Sequence, residues 1–471
     1  MRLQVTVGID IGTTSVKAVA ADADGNVLAR ARVPHGVASP EAGSFEHDID
    51  RAWRDGVIEA LRQVSEGLEV AAVNVSAMVP SLGAVDAAGR GLSPGLLYGD
   101  RRGETELNHP DEPGDSGELL AFLHALSAAA PEAAGYWPAQ AVANHALTGI
   151  GALDSTTAVT AHPLHDYSDW DAARAAEAGA RVDQLPQVVP GVAPVGRVRD
   201  GLPAAGALVG GGTIDALGEQ AVAGADHVGD VLVIFGATLI TWSVIDEWAT
   251  VPGLWTLPHT APGKSLIGGP STAGGMFIDR VDRWVAPVER AELEALDPAD
   301  LPIWLPYARG ERCPLHRRDL RAELHDAALH HGPAAIRWAA YEASGFVVRR
   351  LLDLAAPAGS SPTRIVATGG GTRSEGWMHA VADATGLPVD VVAVPEGAAL
   401  GAAFMARCVA GLEPSDSPWG ASMADGRRWA RTNRRVEPDE RWVAHATTRY
   451  ERFLELSDAA VRGTGSAGPR A

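Results

Sequence analysis

The stretch VGIDIGTTSVKAVAAD, residues 7–22, places an acid, a glycine, three consecutive hydroxyls and a lysine between two apolar runs. Backbone N–H groups around a glycine can form a concavity that binds anions, and hydroxyls and an ammonium add donors. A carboxylate at a strand end can hold Mg²⁺ directly or through water. The alternative is an ordinary solvated turn, in which Gly, Thr and Asp are common. The residues concerned are Asp10, Gly12, Thr13, Thr14, Ser15 and Lys17.

A second candidate for chemistry is Asp215, in LVGGGTIDALGEQ, residues 208–220. It follows three glycines and stands at or near the start of a predicted helix. A carboxylate there can act as a general base that accepts the proton of a substrate hydroxyl, with the glycines leaving room for the substrate. The alternative is an N-cap or first-turn Asp that stabilises the helix.

A third glycine cluster lies in RIVATGGGTRSEGWMHAVADATGLPVDVV. The pattern predicts a strand over 364–367, a glycine turn at 369–371 and a helix that Thr372 or Ser374 caps. A strand, a glycine turn and a helix N-terminus can receive a nucleotide, because glycines allow close backbone approach. A plain connector is the other interpretation. The small-residue helix from Glu396 is expected to pack under this glycine turn.

The elements that must position these residues come from hydrophobic alternation. Residues 4–34 alternate apolar and polar positions and carry two turn signals, which predicts a three-stranded antiparallel meander. A helix is predicted from Asp50 to about Glu66. A similar hairpin begins at Val231, in VLVIFGATLITWSVIDEW, about half a chain later. This weak repeat predicts two related domains that face one another across a cleft, with the boundary near 224–229.

Composition limits the partners. The chain has 471 residues, 39 Lys plus Arg against 59 Asp plus Glu, and a formal net charge of −20. That charge argues against nucleic acid or an anionic membrane surface and favours a small ligand. The two cysteines, Cys313 and Cys408, indicate structural thiols in a reducing compartment, so the cytoplasm is the expected location. No apolar run approaches the length of a membrane span.

Six motifs in order resemble the FGGY carbohydrate kinase family, in its xylulokinase-like branch, over residues 5–412. They are GIDIGTTSVKA, AMVPSLGAVDAAGRGLSPGLLYGDRR, GGGTIDALGEQ, LPYARGERCP, ATGGGTRSEGWMHAVADATGLPV and EGAALGAAFMA. The resemblance implies an α/β fold with two actin-like (RNase H-like) ATPase domains that face a central cleft. We assign residues 1–225 and 226–455 to these domains and expect a disordered tail over 456–471. The implied activity is ATP-dependent phosphorylation of a hydroxyl on a small sugar, such as the ketose xylulose, or a polyol, with Mg²⁺.

The resemblance also implies roles for individual residues. Asp215 is the general base and also faces the sugar, and Asp10 is the metal-associated acid. Glu311 and Arg312 are expected to form an ion-paired structural element. The remaining implied sites are the phosphate ligands Gly12, Thr13, Thr14, Lys17, Gly236 and Thr238, the adenosine ligands Gly370, Gly371 and Ser374, and the sugar-pocket residues Met78, Val79 and Asp100.

Two departures from the family pattern keep alternatives open. Val79 stands where xylulokinase-like sequences have histidine, which removes a hydrogen-bond donor to a sugar hydroxyl, so another pentulose, a hexulose or a polyol is as credible as xylulose. Ala237 stands where relatives have threonine, which removes one hydroxyl from the second phosphate turn. A catalytically weak or regulatory nucleotide- or sugar-binding protein of the same fold is therefore the second interpretation. A chaperone-like ATPase would need additional chain for a peptide-binding domain. A homodimer is left open, because closed dimers are common among enzymes.

Overall fold

The computed structural model describes residues 4–41, 43–103, 118–166, 168–191, 193–259, 263–414 and 423–464. In chain order, the strands within these residues are β1 (Gln4–Ile11), β2 (Ser15–Ala21), β3 (Val27–Pro34), β4 (Glu46–His47), β5 (Glu69–Ala77), β6 (Ser81–Val85), β7 (Gly95–Leu97), β8 (Gly135–Trp137), β9 (Ala152–Asp154), β10 (Gln187–Val189), β11 (Pro194–Arg197), β12 (Leu208–Gly210), β13 (Thr213–Ile214), β14 (Asp230–Phe235), β15 (Leu239–Ile245), β16 (Trp255–Pro258), β17 (Ser265–Ser271), β18 (Ile303–Leu305), β19 (Glu323–His325), β20 (Arg364–Thr368), β21 (Val389–Val392) and β22 (Thr432–Val436).

The α-helices lie between runs of these strands, and a π-helical turn, Asp50–Asp55, leads into the first of the helices. They are α1 (Gly56–Ser65), α2 (Glu118–Ala129), α3 (Ala139–Thr148), α4 (Ser155–Val159), α5 (Ala172–Glu177), α6 (Asp215–Ala223), α7 (Gly275–Trp284), α8 (Arg290–Glu294), α9 (Pro333–Ala355), α10 (Glu375–Thr385), α11 (Gly397–Val409) and α12 (Glu440–Thr464). Within the described residues, none of these helices is both long and apolar enough to cross a membrane.

The chain divides into two compact units. Unit 1 comprises Met1–Val222 and Glu396–Trp429, and unit 2 comprises Ala223–Pro395 and Ala430–Ala471. Unit 2 begins close to the boundary that the sequence indicates. The predicted continuous domain over 226–455 differs from this division, because the chain returns to unit 1 at Glu396 before it finishes in unit 2.

Each unit is built on a seven-stranded sheet in which antiparallel strands continue into parallel ones. In unit 1 the order is β11-β12-β5-β1-β2-β3, with β13 also paired to β5. In unit 2 the order is β16-β17-β15-β14-β20-β21-β22. Strand β1 pairs antiparallel with β2 and parallel with β5, and strand β14 likewise pairs antiparallel with β15 and parallel with β20. The hairpin at Val231 therefore repeats the position of the N-terminal hairpin, and the predicted 4–34 meander is present as β1, β2 and β3.

Helix α11 packs within unit 1, and its small residues explain why. A Cβ added at Gly8 of β1 would lie 1.8 Å from the carbonyl oxygen of Ala399, so the helix backbone rests directly on the strand. A Cβ at Gly401 would lie 2.0 Å from the carbonyl oxygen of Gly218, where α11 meets α6. The prediction that this helix packs under the 369–371 turn is therefore wrong, because β1 and α6 offer glycine surfaces that accept a close helix backbone.

This close approach makes a stability prediction. We expect Gly401→Ala to lower the free energy of unfolding by about 1–3 kcal/mol, because the added methyl group cannot fit without backbone movement. Gly463→Ala in α12 is the matched control, since no described atom outside its chain neighbours and its own helix backbone lies within 4 Å of the added Cβ. Urea unfolding of both variants checks the prediction, and equal unfolding midpoints would contradict it.

Both cysteines are buried thiols, and part of the C-terminal segment is helical. Cys313 and Cys408 are both buried and unbridged, as predicted. The tail predicted as disordered over 456–471 is helical to Thr464, and residues 465–471 lie outside the described residues. Helix α12 continues because it buries Tyr450, Phe453 and Ser457 against the core of unit 2.

Candidate active site

The N-terminal turn of unit 1 closes as a tight hairpin between β1 and β2. The Gly12 N–H donates to the carbonyl oxygen of Ser15 at 3.1 Å. Asp10 and Lys17 face each other across the strands, with Lys17 Nζ 3.3 Å from Asp10 Oδ2. A Cβ added at Gly12 would lie 3.7 Å from that carboxylate oxygen and 3.9 Å from the ammonium. The glycine therefore leaves a small open space beside one carboxylate and one cation.

Lys17 is held in its charged form by surrounding carboxylates. The Asp10 carboxylate is the largest cause of a pKa raised above the usual lysine value, and it outweighs the opposing effect of burial. Glu219 and Glu396 raise the pKa further. The turn therefore has a fixed positive charge within a group of acids, which suits both a phosphate and a metal ion.

The three hydroxyls of the turn have different environments. Thr13 Oγ1 is buried and lies 2.8 Å from the Tyr98 hydroxyl. Ser15 Oγ accepts a hydrogen bond from Arg32 Nε at 3.2 Å. Thr14 is exposed. Among the predicted phosphate ligands, Thr14 is therefore the hydroxyl that the turn presents to solvent.

The buried side chain of His47, which was not predicted from the sequence, makes a hydrogen bond to the backbone of this turn. Trp53 Nε1–H donates to His47 Nδ1 at 3.0 Å, so the proton of the neutral imidazole is on Nε2. Nε2 then donates to the carbonyl oxygen of Thr13 at 2.8 Å. The two hydrogen bonds, from Trp53 to His47 and from His47 to Thr13, fix one peptide of the turn between β1 and β2. The sequence FEHDIDRAW contains both residues, but only the fold shows their target.

His47 makes stability depend on pH. Burial lowers its pKa from the ordinary 6.5 to about 4. The unfolded chain takes up this proton near pH 6.5 and the folded chain only near pH 4. The contribution of neutral His47 to the free energy of unfolding is therefore fully present above pH 6.5 and is lost as pH falls through 4. We expect wild type to lose about 2 kcal/mol more than His47→Gln between pH 7 and pH 5, measured by urea unfolding. Parallel pH dependences of the two proteins would contradict this.

Three parallel strands bring the main candidates to one edge of the unit 1 sheet. Ile11 of β1 pairs with Ala77 of β5, and Ala77 pairs with Ile214 of β13. Neighbouring strands lie about 4.8 Å apart. The N-terminal turn, the bend after β5 and Asp215 therefore leave the sheet side by side. In open α/β sheets, ligands bind at this carboxyl edge of the parallel strands.

Asp215 is the first residue of α6 and is half-buried. Its Oδ1 accepts the N–H of Ala216 at 2.7 Å, which fits the first-turn role that the sequence left open. The position at the sheet edge is equally compatible with a general base, because the side chain keeps exposed surface. Both roles are consistent with one carboxylate at a helix N-terminus.

The predicted sugar residues differ in their access. Met78 is buried, whereas Val79 is half-buried and precedes a cis peptide bond to Pro80. Of these two, Val79 therefore has the greater access to a ligand at the edge. It contributes an apolar surface where a histidine would offer a donor.

Asp100 is occupied by internal hydrogen bonds. Its Oδ2 accepts from the Phe45 N–H at 2.6 Å and from Arg102 Nη2 at 2.6 Å, and its Oδ1 accepts from the Arg102 N–H and Nε. Arg102 Nη2 also lies 2.6 Å from Glu46 Oε2. The geometry favours a structural role for Asp100, which joins the loops at 45–46 and 100–102.

The turn between β14 and β15 in unit 2, which is predicted to bind phosphate, is hydrogen-bonded to the start of α7. The Gly236 N–H donates to the carbonyl oxygen of Thr238 at 3.1 Å. The carbonyl oxygens of Gly236 and Ala237 accept from the N–H groups of Gly275 and Met276 at the start of α7. Thr238 is half-buried, and Ala237 contributes no hydroxyl.

The triglycine turn lies beside this hairpin, because β20 pairs in parallel with β14. A Cβ at Gly369 would lie 2.8 Å from the Phe235 carbonyl oxygen, and one at Gly371 would lie 2.5 Å from Trp377. Gly370 is exposed, and the nearest atom to a Cβ added there is Arg373 Nη1 at 3.6 Å. Two of the three glycines are therefore needed for packing, and Gly370 is the one that leaves its backbone open to a ligand.

A cavity of about 1160 Å³ opens next to this turn within unit 2. Its lining includes residues on both sides of Ser374, which caps α10 by accepting the Trp377 N–H. Gly376 and Tyr341 both line this cavity and pack closely on each other, since a Cβ added at Gly376 would lie 3.3 Å from the tyrosine ring. The sequence did not identify Tyr341 or Gly376, because a lining tyrosine on α9 has no local motif.

Asp300, His330 and His331 offer ligand atoms within 4.8 Å of one another. However, His331 Nδ1 accepts the Ala328 N–H at 3.0 Å, so Nε2 has the proton and donates to Asp300 Oδ1 at 3.0 Å. A metal on Nε2 would displace this proton. The pKa of Asp300 is lowered, mostly by the hydrogen bond from His331 and next by the one from His330. In this cluster the two histidines therefore stabilise the Asp300 carboxylate by hydrogen bonds.

Glu311 has a structural position in unit 2. It is buried and accepts hydrogen bonds from Ser271 Oγ, the Thr272 N–H and the Arg312 N–H. Burial raises its pKa to about 7. The guanidinium of Arg312 lies over the Trp255 ring at 5.1 Å. Hydrogen bonds to residues 271–272 anchor Glu311, and the ion pair between the Glu311 and Arg312 side chains stays a prediction.

Comparison with known proteins decides the family. Residues 5–121 match the N-terminal domain of the FGGY family of carbohydrate kinases, and residues 282–410 match its C-terminal domain. A xylulose kinase from Streptomyces coelicolor is 30% identical over 465 residues, covering 90% of each chain. The chain belongs to the FGGY family. As an FGGY kinase, it is an ATP-dependent phosphotransferase whose acceptor is an alcohol group of a carbohydrate, which confirms the predicted family and reaction class.

Solved structures agree with this assignment. A xylulose kinase from Rhodospirillum rubrum has a TM-score of 0.75 at 25% identity, covering 97% of this chain and 98% of that one. A gluconate kinase from Lactobacillus acidophilus has a TM-score of 0.80 at 18% identity and covers 98% of both chains, which bears on the fold alone. The FGGY kinase described here therefore has two actin-like α/β domains, as predicted.

Proposed function

We propose that this FGGY kinase phosphorylates a hydroxyl of a small ketose, with xylulose the first candidate, and that Asp215 is the general base. The observation that carries the proposal is the shared edge of β1, β5 and β13, which brings Asp10, the phosphate turn and Asp215 together within unit 1. Relatives named xylulose kinase, such as the one at 30% identity, support the ketose.

The first turn fits a metal-bound triphosphate. The space beside Gly12 adjoins the Asp10 carboxylate and the Lys17 ammonium, and a Cβ would fill it. We assign Asp10 to Mg²⁺, directly or through water, and Lys17, Gly12, Thr13 and Thr14 to the phosphates. When bound, Mg²⁺ would neutralise charge on the transferring phosphoryl group.

In unit 2, we assign the backbone of Gly236 and Thr238 to phosphate and Gly370, Gly371 and Ser374 to adenosine. The cavity beside Ser374 supports this assignment, because Tyr341 and Gly376 both line it. An aromatic face next to a glycine suits a planar base.

In the proposed reaction, Asp215 accepts the proton of the sugar hydroxyl while that oxygen forms a bond to the γ-phosphorus. The bond from the γ-phosphorus to the bridging oxygen breaks, and ADP leaves. Positioning and charge neutralisation by Lys17 and the backbone donors contribute most of the acceleration, and proton transfer contributes less. The buried, unbridged cysteines support a reducing compartment such as the cytoplasm.

A catalytically weak or regulatory protein is the second candidate, and two side chains favour it. Val79 offers no hydrogen bond at the sheet edge, and Ala237 offers no hydroxyl in the second phosphate turn. Loss of a polar contact to a substrate can change specificity by large factors.

The test is ADP release from MgATP against a panel of ketopentoses, ketohexoses, pentitols, erythritol, glycerol and gluconate, with a no-sugar control. We expect strong stimulation by one ketose or a few related ones. A flat response despite measurable ATP binding would overturn the proposal in favour of the regulatory candidate. Val79→His and Ala237→Thr are the informative reversions in the same panel.

A further inference from the structure

We propose that three buried carboxamide side chains, Asn74, Gln140 and Asn144, are positioning residues that set the location of Asp215. This inference rests on the proposed role of Asp215 as base. We call the three side chains the carboxamide clamp. They come from β5 and α3, and each is at most 1% exposed.

The clamp holds three consecutive residues of the segment that leads to Asp215. Asn144 Nδ2 donates to the Gly211 carbonyl oxygen at 2.8 Å. Asn74 Oδ1 accepts the Gly212 N–H at 3.0 Å. Gln140 Nε2 donates to the Thr213 carbonyl oxygen at 3.3 Å. Every residue from 211 to 213 is thus fixed by a different side chain.

The same side chains tie this segment to the neighbouring elements. Gln140 Nε2 also donates to the carbonyl oxygen of Ala77 at 3.2 Å. Ala77 is the last residue of β5 and precedes Met78. Asn144 Nδ2 also donates to the Ala152 carbonyl oxygen at 2.8 Å. Gln140 and Asn144 are four residues apart, so they project from one face of α3. Helix α3 therefore presents both amides to the base segment, and Gln140 links that segment to the sugar side of the edge.

The side-chain amides of Gln140 and Asn144 donate to carbonyl groups, but their own side-chain oxygens, Oε1 and Oδ1, are buried and have no hydrogen-bond partner among the described residues. Unsatisfied buried polar atoms are uncommon and need an explanation. The donation of both amide hydrogens to the 211–213 segment and its neighbours gives that explanation.

The glycines of this segment fit the clamp. A Cβ at Gly210 would lie 2.4 Å from Asn74 Oδ1, and one at Gly212 would lie 2.9 Å from the Val75 carbonyl oxygen and 3.3 Å from Gln140 Cβ. Gly212 also has a φ of +112°, which disfavours other residues. The sequence analysis assigned the glycines to substrate access, whereas the structure shows that clamp and strand atoms fill the space beside Gly210 and Gly212.

The test compares Gln140→Met with Gln184→Met in the purified full-length kinase. Gln184 is the matched control, since it is also buried in unit 1 and donates to a backbone carbonyl, that of Ala133, away from the sheet edge. We expect Gln140→Met to lower kcat by about tenfold to 100-fold with KM for ATP and sugar within about twofold, because a displacement near 1 Å can cost this much. We expect Gln184→Met to lower the unfolding temperature with kcat within about twofold.

Asp215→Asn in the same assay separates the two proposals. If Asp215→Asn is inactive but Gln140→Met has the kcat of Gln184→Met, the clamp proposal is wrong and the base assignment stands. If Asp215→Asn keeps the wild-type rate, the base assignment fails and the clamp proposal fails with it. Asn144→Ala tests the clamp from the Gly211 side if Gln140→Met does not fold, and an unchanged kcat there would equally overturn it.

Discussion

Asp215→Asn is expected to lower kcat for sugar phosphorylation by about 10²-fold to 10⁴-fold, the range typical for loss of a general base. The amide cannot accept the hydroxyl proton, but it keeps the shape of the side chain and can still cap α6. Affinity for MgATP should change little. Steady-state kinetics with the best sugar of the panel, together with calorimetric ATP binding, measure both quantities.

The matched control is Asp171→Asn at the start of α5. Asp171 is an N-cap whose side chain accepts from the N–H groups of Ala173 and Arg174. If Asp215 were only a helix-capping residue, the two variants would behave alike and retain full turnover. A wild-type kcat for Asp215→Asn would therefore refute the base assignment.

Asp10→Asn is the second variant with a large expected effect. We expect kcat to fall by about 10²-fold or more and the Mg²⁺ concentration for half-maximal rate to rise, because metal charge stabilisation contributes several kcal/mol. The variant also removes the carboxylate that contributes most to raising the pKa of Lys17. A Mg²⁺ titration of initial rates at fixed ATP gives both values.

Asp230→Asn is the control for loss of a buried, ion-paired carboxylate. Asp230 is 4% exposed, and Arg364 Nε lies 2.7 Å from its Oδ1. Its replacement should lower stability without altering the Mg²⁺ dependence. The metal assignment for Asp10 would be abandoned if both variants showed the same Mg²⁺ requirement as wild type.

Local sequence patterns predicted the hairpins and the meander of the two sheets. Alternating apolar residues and glycine-bearing turns predicted the β1–β2–β3 meander and the repeat at Val231, since strand period and turn chemistry act over a few residues. Local residue patterns indicated Asp215 and the glycine turns as candidates, and the FGGY resemblance assigned roles to them. Their placement at strand ends follows from the parallel pairing of β1, β5 and β13 and of β14 and β20.

What the sequence did not reveal depends on contacts between distant residues. Nothing local in QAVANHALT indicates that Gln140 and Asn144 reach the 211–213 segment some 70 positions later. The small residues of α11 indicated close packing, but the partner was assigned incorrectly because Gly8 lies nearly 400 positions away. The residues around Asp100 in the sequence likewise do not indicate that Arg102 and Phe45 donate hydrogen bonds to its carboxylate oxygens.

The most direct measurement of the central claim is mass spectrometry of the sugar product after reaction with ATP labelled with ¹⁸O in the γ-phosphoryl group. ADP release alone does not distinguish transfer from hydrolysis, whereas the labelled product does. We predict a ketose phosphate that keeps the labelled phosphoryl oxygens, is formed one for one with ADP, and is formed about 10²-fold to 10⁴-fold more slowly by Asp215→Asn. Labelled inorganic phosphate with no sugar phosphate, for every sugar of the panel, would contradict the account.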